Sequence, residues 1–320
     1  MRYDICAVRA FAILLIVLHH AAYYLTAIPT GVDFVPLQGS GHSAYLSYVS
    51  KFVGLGLFTY ISGMLLAMQA NRPRNVGAFV IKKVTRLLVP CAIFLIAYDL
   101  IFGDVIGGSY QATLGCTHLW YLPFIFIALT VTYILRPTWS ASGIAPAFAV
   151  WAACLYLESF KGVYISHMHV YYPVFLAGYF HNHLCNRYTA LCGGLLAATL
   201  FWHPVRHWFI NLPIISIFYI TLVCILASWA VVYTAGRVVR GPLGRVGTLL
   251  DRQSFHIYLI HQFVLNFILM ALPLNGLAIK WTFPVFLLTL GGSLALCLAY
   301  DAASASVVRA YRRLRPVNTP

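Results

Sequence analysis

Arg9 and His20 are ionisable residues in a largely apolar stretch near the start of the chain, ICAVRAFAILLIVLHHAAYYL. In an α-helix this spacing amounts to three turns plus about 20°, so both residues share one face, about 16 Å apart along the axis. The neighbouring His19 points about 80° away from Arg9. A guanidinium is suited to binding phosphate, and an imidazole to moving protons at neutral pH. The pair predicts an anion site with a general base three turns deeper, although His20 could instead be structural.

A second cationic group occurs in residues 78–90, AFVIKKVTRLLVP. Lys82, Lys83 and Arg86 are spaced so that all three can share a helix face just before Pro90. They are candidates for anion binding together with Arg9. The alternative is that they only anchor the cytoplasmic end of a membrane span.

Further polar side chains are embedded in apolar segments. These are Ser62 in GLGLFTYISGMLL, His118 and Trp120 in HLWYLP, and Ser254, Tyr258 and His261 in SFHIYLIHQ. Polar and ionisable groups are costly in lipid, so we expect them to face a cavity or a partner, although Trp120 could belong to an interfacial aromatic belt. No metal site is expected, because the histidine pair with i, i+4 spacing, His203 and His207, has Pro204 between its members and no acidic partner.

The composition indicates that membrane helices position these residues. Hydrophobic residues make up 61% of the chain and charged residues 9%, whereas soluble domains carry roughly a quarter charged residues. We therefore predict an all-α, polytopic transmembrane bundle over residues 1–305, followed by a short basic cytoplasmic tail, 306–320. About ten spans are expected, the sixth and seventh of them short, at 5–27, 46–69, 86–104, 118–135, 143–159, 170–185, 189–202, 213–235, 254–272 and 281–300.

The net charge of +14 raises the question of a nucleic-acid partner. If the N-terminus is cytoplasmic, the predicted spans leave Lys51, Lys161, Arg206 and Lys280 on the outside and the other seventeen of the 21 lysines and arginines on the inside. This asymmetry is typical of the positive-inside rule. The basic charge therefore indicates topology, and no nucleic-acid partner is expected.

These segments, taken in order, resemble the acyltransferase 3 family of membrane-embedded O-acyltransferases. The matching segments are the R-x10-H pair Arg9 and His20, Phe58 to Gly63, Lys82 to Arg86, His118 to Leu122, and Ser254 to His261. The resemblance extends from residue 1 to about residue 300. One departure is Lys83, where the family often has arginine, because lysine keeps the charge and loses bidentate phosphate geometry.

The resemblance implies transfer of an acyl group, usually acetyl, from cytoplasmic acyl-CoA to a hydroxyl of an extracytoplasmic or lipid-linked glycan, in a bacterial inner membrane. The implied partners are acyl-CoA, the glycan and membrane lipid, with no permanently bound cofactor. The residues carried over are Arg9, Lys82, Lys83 and Arg86 for acyl-CoA, and His20, Ser62, His118, Trp120 and His261 for catalysis. Alternatives are a transporter or flippase for a sugar or lipid-linked sugar, for which the expected internal repeat is not found, and a non-catalytic anchoring subunit.

The charge distribution generates a testable topology. Both termini and the segments 70–85 and 236–253 should face the cytoplasm, and 28–45 and 105–117 should face outside. Reporter fusions or cysteine labelling at these positions would measure this. A C-terminus on the outside would require an odd number of spans and would contradict a donor site at the inner face.

Overall fold

The computed structural model describes residues 3–30, 33–36, 41–69, 75–102, 118–161, 165, 167–201, 213–271 and 281–314. Four segments have side chains described over a shorter range, namely 3–23, 45–69, 214–271 and 281–306, and residues 33–36 are described by their backbone alone. The described chain is a bundle of α-helices with one β-hairpin. Its first half consists of α1 Tyr3–Thr26, β1 Ala27–Thr30, β2 Asp33–Pro36, α2 Gly41–Ala67, α3 Val76–Lys83, a π-helical turn Val84–Leu88, α4 Val89–Phe102, a 3-10 turn His118–Trp120 and α5 Tyr121–Leu135. Its second half consists of α6 Ala141–Phe160, α7 Met168–Tyr179, α8 His181–Leu184, α9 Arg187–Phe201, α10 Pro213–Val238, α11 Arg245–Ala271 and α12 Thr282–Leu314.

The predicted helical membrane fold is confirmed. Within the described residues, eight helical stretches are long and apolar enough to cross a membrane, and they belong to α1, α2, α3–α4, α5, α6, α10, α11 and α12. The sixth and seventh predicted spans correspond to α7 and α9, which have 12 and 15 residues. Both are shorter than the roughly 20 residues that a full crossing needs. In the described part of the chain, eight stretches are therefore full-length candidates, and α7 and α9 are too short for a full crossing.

Several boundaries differ from the sequence-based expectation, among them the third span, which begins at Val76 and was expected at residue 86. The predicted outer connection 28–45 overlaps the antiparallel hairpin, in which Ala27 pairs with Pro36. Helix α11 begins at Arg245, inside the predicted connection 236–253, because Arg245, Thr248, Asp251 and Arg252 interrupt the apolar run that marks a span in the sequence. Helix α12 continues to Leu314, past the predicted domain end at 305. The predicted outer loop 105–117 and the end of the tail, 315–320, lie outside the described residues.

Helices α1 and α2 form the centre of the bundle. They contact each other; α1 also packs on α10, α11 and α12, and α2 on α5, α7 and α10. In α2, 67% of the apolar span is buried inside the protein, compared with 11% in α6. The outer helices expose large apolar side chains, such as Leu100 at 80% and Leu195 at 73%. Such a surface is suited to lipid.

A close crossing of α2 and α7 depends on two glycines. A Cβ added at Gly63 would lie 2.0 Å from the Phe175 carbonyl oxygen, and one added at Gly178 would lie 1.9 Å from the Tyr60 carbonyl oxygen. Because the obstructing atoms belong to the backbone, no side-chain rotation can relieve the overlap. Small residues at such crossings allow membrane helices to approach closely. The short helix α7 is thereby held against the central α2.

The π-helical turn between α3 and α4 has a local cause. Pro90 has no N–H to donate, and its ring would collide with the carbonyl of Arg86 in a regular α-helix. The chain widens over Val84–Leu88, and the N–H of Val89 donates to the carbonyl of Val84. The widened turn lies directly between Lys83 and the start of α4, and it includes Arg86.

The glycine crossing generates a stability prediction. Gly178→Ala should destabilise the protein by about 1–3 kcal/mol, because overpacking against backbone forces the helices apart. The readout is the thermal midpoint of the detergent-purified protein. Gly291→Ala is the matched control, since nothing lies within 4 Å of its added Cβ and alanine favours a helix over glycine. Equal midpoints for the two variants would show that the crossing is not tight.

Candidate functional site

A cavity of about 280 Å³ opens among α1, α2, the π-helical turn, α5 and α11. Its walls are mostly apolar, and its polar lining falls into two groups. The first group consists of the cations Arg9, Lys83 and Arg86 together with the amide of Gln69. The second group consists of the hydroxyl-bearing side chains Ser62, Tyr121, Ser254 and Tyr258. An apolar cavity with a few convergent polar groups is typical of a small-molecule site.

The cationic group comes from three separate elements. Arg9 is on α1, Lys83 ends α3, and Arg86 lies in the π-helical turn. The Lys83 ammonium also lies 5.2 Å from the centre of the Phe79 ring. Lys82, predicted to share their face, is exposed and does not line the cavity. The structure thus brings three of the four predicted cations together.

Arg9 is held by an acidic partner on another helix. Its Nε and Nη2 atoms both lie 2.7 Å from Oδ1 of Asp251 on α11. The Asp251 side chain is 5% exposed and that of Arg9 is 33% exposed. The carboxylate is therefore buried beneath the guanidinium, and the guanidinium remains accessible from the cavity.

The second polar group of the cavity lining consists of the hydroxyl-bearing side chains. The hydroxyl of Ser62 donates to the Phe58 carbonyl of its own helix at 2.8 Å. Tyr258 lines the cavity, and its hydroxyl donates to the carbonyl oxygen of His118. The Tyr258 ring lies 5.6 Å from that of His118 and 6.0 Å from that of His261, measured between centroids. Tyr258 thus contacts both the cavity and a group of histidines beyond it.

Three predicted histidines form that group. The ring centroids of His20 and His118 each lie 5.0 Å from that of His261, and they are 6.1 Å from each other. These residues come from α1, the 3-10 turn and α11, so three distant parts of the sequence converge. We call His20, His118 and His261 the histidine cluster.

The backbone of α11 fixes the tautomer of His261. Its Nδ1 lies 3.0 Å from the Ile257 carbonyl oxygen and 2.9 Å from that of Tyr258, so Nδ1 donates. In the neutral ring Nε2 then carries the lone pair. Within the described part of the chain, Nε2 has no hydrogen-bond partner. His261 can therefore accept a proton or a hydrogen bond at Nε2.

His19 is engaged elsewhere. Its Nδ1 lies 2.9 Å from the hydroxyl and 3.0 Å from the carbonyl oxygen of Ser47 on α2. Its side chain is buried, at 8% exposure. The adjacent histidines therefore differ in environment: His19 bonds to α2, and His20 packs against the rings of the cluster.

Trp120 lies outside the cavity lining, in a second polar region. Its ring centroid is 4.6 Å from that of His167 and 5.5 Å from that of Tyr171. His167 adopts a left-handed backbone conformation, with φ 58°. Burial, together with the charge of Lys51, lowers the pKa of His167 to about 4, so this ring is neutral at physiological pH.

The carboxylate of Glu158 holds the segment that carries His167. It accepts backbone N–H bonds from Ile165 at 2.8 Å and from His167 and His169 at 2.9 Å, and it also pairs with Nδ1 of His169. The Glu158 side chain is 4% exposed. Three N–H donors and a histidine satisfy this buried charge, as a buried carboxylate requires.

Sequence reasoning missed Asp251 and Glu158. Only seven acidic residues occur in the chain, so an acidic residue within or beside a predicted span was itself a signal. Asp251 lies three residues before the predicted Ser254 segment, within the predicted connection 236–253. Glu158 lies at the end of the fifth predicted span, two residues before Phe160, where α6 ends.

Comparison with known proteins gives one finding. The profile of a family described as an acyltransferase domain matches residues 2–301. That range covers every element that lines the cavity and every member of the histidine cluster. No curated protein and no solved structure matches the chain.

Proposed function

The chain belongs to the acyltransferase 3 family, and from that premise we propose that it transfers an acyl group, in the first instance acetyl, from cytoplasmic acyl-CoA to a hydroxyl of a carbohydrate. The acceptor in this proposal is an extracytoplasmic or lipid-linked glycan, and the membrane is a bacterial inner membrane. The general statement, that the protein is a membrane acyltransferase, follows from the family and the eight apolar helices.

One observation carries the finer proposal: a single cavity has cations in its lining and the histidine cluster just beyond its tyrosines. Arg9, Lys83 and Arg86 supply positive charge for the phosphates of CoA. Arg9 and His20 are about 16 Å apart along α1, a length comparable to the reach of an extended pantetheine arm. A donor bound by its phosphates at Arg9 would present its thioester near His20.

In the proposed reaction His20 acts as general base. The acceptor hydroxyl oxygen attacks the thioester carbonyl carbon, and His20 takes the hydroxyl proton. When the tetrahedral intermediate collapses, the carbon–sulfur bond breaks and the imidazolium returns the proton to the departing CoA sulfur. The products are the acylated sugar and CoA, and His20 is neutral again.

Direct transfer agrees with the environment of Ser62. A serine nucleophile needs a base within hydrogen-bond reach. The Ser62 hydroxyl instead donates to the Phe58 carbonyl, and no hydrogen bond joins it to a histidine among the residues that the structure describes. An acyl-enzyme on Ser62 would require this hydroxyl to turn away from its own helix.

The acceptor in this proposal approaches from the side of Trp120. Trp120 and His118 lie in the same 3-10 turn, so a sugar resting on the indole would be close to the histidine cluster. The ring of His167 borders the indole, and Glu158 accepts a hydrogen bond from the backbone N–H of His167. Flat apolar rings beside polar groups are suited to the apolar face and the hydroxyls of a sugar.

Labelled acetyl-CoA tests the proposed function. Purified protein in detergent should release CoA and, given an envelope glycan fraction, should move the label onto glycan. Mass spectrometry of glycans from cells with and without the protein would identify the acetylated product. A protein that neither consumes acetyl-CoA nor changes any glycan would contradict the proposal.

The donor assignment generates a kinetic prediction. Charge-assisted contacts are worth roughly 1.5–3 kcal/mol each, so Arg86→Ala should raise the KM for acetyl-CoA about tenfold or more, with a smaller effect on the acceptor. Lys83→Arg should be tolerated, because it keeps the charge and adds a bidentate donor. The measurement is initial rate against acetyl-CoA concentration.

Lys82→Ala is the matched control for this prediction. It removes a neighbouring cation whose side chain, unlike that of Arg86, does not line the cavity. Its KM should stay within about twofold of the native value, as expected for a solvated charge that does not touch the ligand. Equal effects of Lys82→Ala and Arg86→Ala would indicate general electrostatic attraction and no defined phosphate site.

The base assignment generates a second prediction. His20→Gln should lower the transfer rate by about 10²–10⁴, the usual contribution of a positioned base, while membrane insertion and CoA binding stay near native. His19→Ala should be much milder for chemistry, because its bond to Ser47 belongs to helix packing. An active His20→Gln protein beside an inactive His19→Ala protein would reverse the assignment. Activity in both would move the role to His118 or His261.

A further inference from the structure

The ion pair between Arg9 and Asp251 has a consequence for the donor site. We propose that Asp251 is a positioning residue: it holds the Arg9 guanidinium in the orientation that binds a phosphate of acyl-CoA. This inference rests on the proposed function, and it assigns a role to a residue outside both the cavity lining and the sequence-predicted site.

The geometry supports anchoring by one edge of the guanidinium. Nε and Nη2 of Arg9 converge on a single oxygen, Oδ1 of Asp251, at 2.7 Å each. A guanidinium has five N–H donors in a fixed plane. Two donors held on one side leave the Nη1 side and the second Nη2 hydrogen available to an anion in the cavity, which Arg9 lines.

Asp251 is more deeply buried than Arg9, as a residue that positions the guanidinium from behind should be. Asp251 is 5% exposed, and Arg9 is 33% exposed. A phosphate in the cavity would therefore meet the guanidinium, with the carboxylate shielded behind it.

A negative charge beside an anion site has two opposing effects. By Coulomb's law it repels phosphate, so its removal should tighten binding if the orientation of Arg9 is unimportant. By anchoring Arg9 it reduces the conformational freedom that the side chain must lose when it binds phosphate. The two effects predict opposite signs for one substitution, and this makes the role testable.

Asp251→Asn is that substitution, because the amide keeps the shape and one acceptor oxygen and removes the charge. We expect the Kd for CoA, measured by calorimetry on the full-length protein in detergent, to rise three- to tenfold. The kcat at saturating acetyl-CoA should stay within twofold, since His261 lies ten residues further along α11, about 15 Å away. Asp251→Glu should recover part of the affinity. A tighter or unchanged Kd in Asp251→Asn overturns the proposal.

The effect must also depend on Arg9. In an Arg9→Ala background, Asp251→Asn should no longer weaken CoA binding, and it should tighten it slightly, because only the repulsion remains. Additive losses in the double variant would mean that Asp251 acts independently of Arg9, which overturns the positioning role.

Asp301→Asn is the matched control. It removes the acidic partner of an exposed ion pair, Arg252 to Asp301 at 3.1 Å, at the same end of α11. It should leave CoA affinity unchanged, whereas a loss equal to that of Asp251→Asn would indicate a general effect on helix packing and would overturn the proposal.

If Asp251→Asn does not accumulate in the membrane, Asp251→Glu decides the question. Its longer side chain displaces the guanidinium and should weaken CoA binding two- to fivefold, and native affinity contradicts the proposal.

Measuring CoA binding by the native protein distinguishes a failure of the proposed function from a failure of the positioning role. If it binds neither CoA nor acetyl-CoA, the proposed function fails, and the role of Asp251 fails with it. If it binds CoA and Arg9→Ala weakens that binding, while Asp251→Asn does not, only the positioning role fails.

Discussion

The packing of α1 against α11 is the interaction on which the rest of the site depends. Arg9 contacts Asp251 near one end of this interface, and His20 contacts His261 further along it. The two contacts are separated by eleven residues on α1 and ten on α11, so the helices run parallel with matched spacing. A shift of either helix by one turn would break both contacts at once. The interface therefore fixes the distance between the cationic end of the cavity and the histidine cluster.

Lipid explains why these contacts are made in pairs. An arginine or aspartate at the centre of a membrane helix costs about 2.5–3.5 kcal/mol to insert, and removal of one partner from a buried ion pair leaves a charge uncompensated. Arg9 and Asp251 offset each other, as do Glu158 and the N–H groups around it. In the described bundle, buried polar atoms without a hydrogen-bond partner include both ring nitrogens of His118 and Nε2 of His261. Under the proposed function, this is where substrate would supply the missing partners.

The sequence alone was sufficient for the fold class and for most of the residues that converge. Arg9 and His20 were predictable because helical periodicity relates residues on one helix. The grouping of His20, His118 and His261 could be suspected only from the family resemblance, since contacts between distant helices leave no periodic signal. Lys82 shows the limit of periodicity: an ideal helix places it beside Arg86, but Pro90 widens the turn between them. Asp251 falls in the predicted connection 236–253, because the polar start of α11 resembles a loop by hydropathy.

The two sides of the histidine cluster are built by different means. The cavity with Arg9 and Lys83 is enclosed by the long helices α1, α2, α5 and α11 and by the π-helical turn, and α2 is itself held by the close backbone contact between Tyr60 and Gly178. The region of Trp120 and His167 is instead shaped by a 3-10 turn and a short segment that the Glu158 carboxylate gathers. Helices hold a fixed geometry, whereas loops tolerate changes in sequence and carry specificity. If the donor is CoA and the acceptor is a glycan, this division is physically reasonable. The invariant substrate would meet rigid helices, and the substrate that varies in chemistry would meet a segment whose sequence can change without moving α1 or α11.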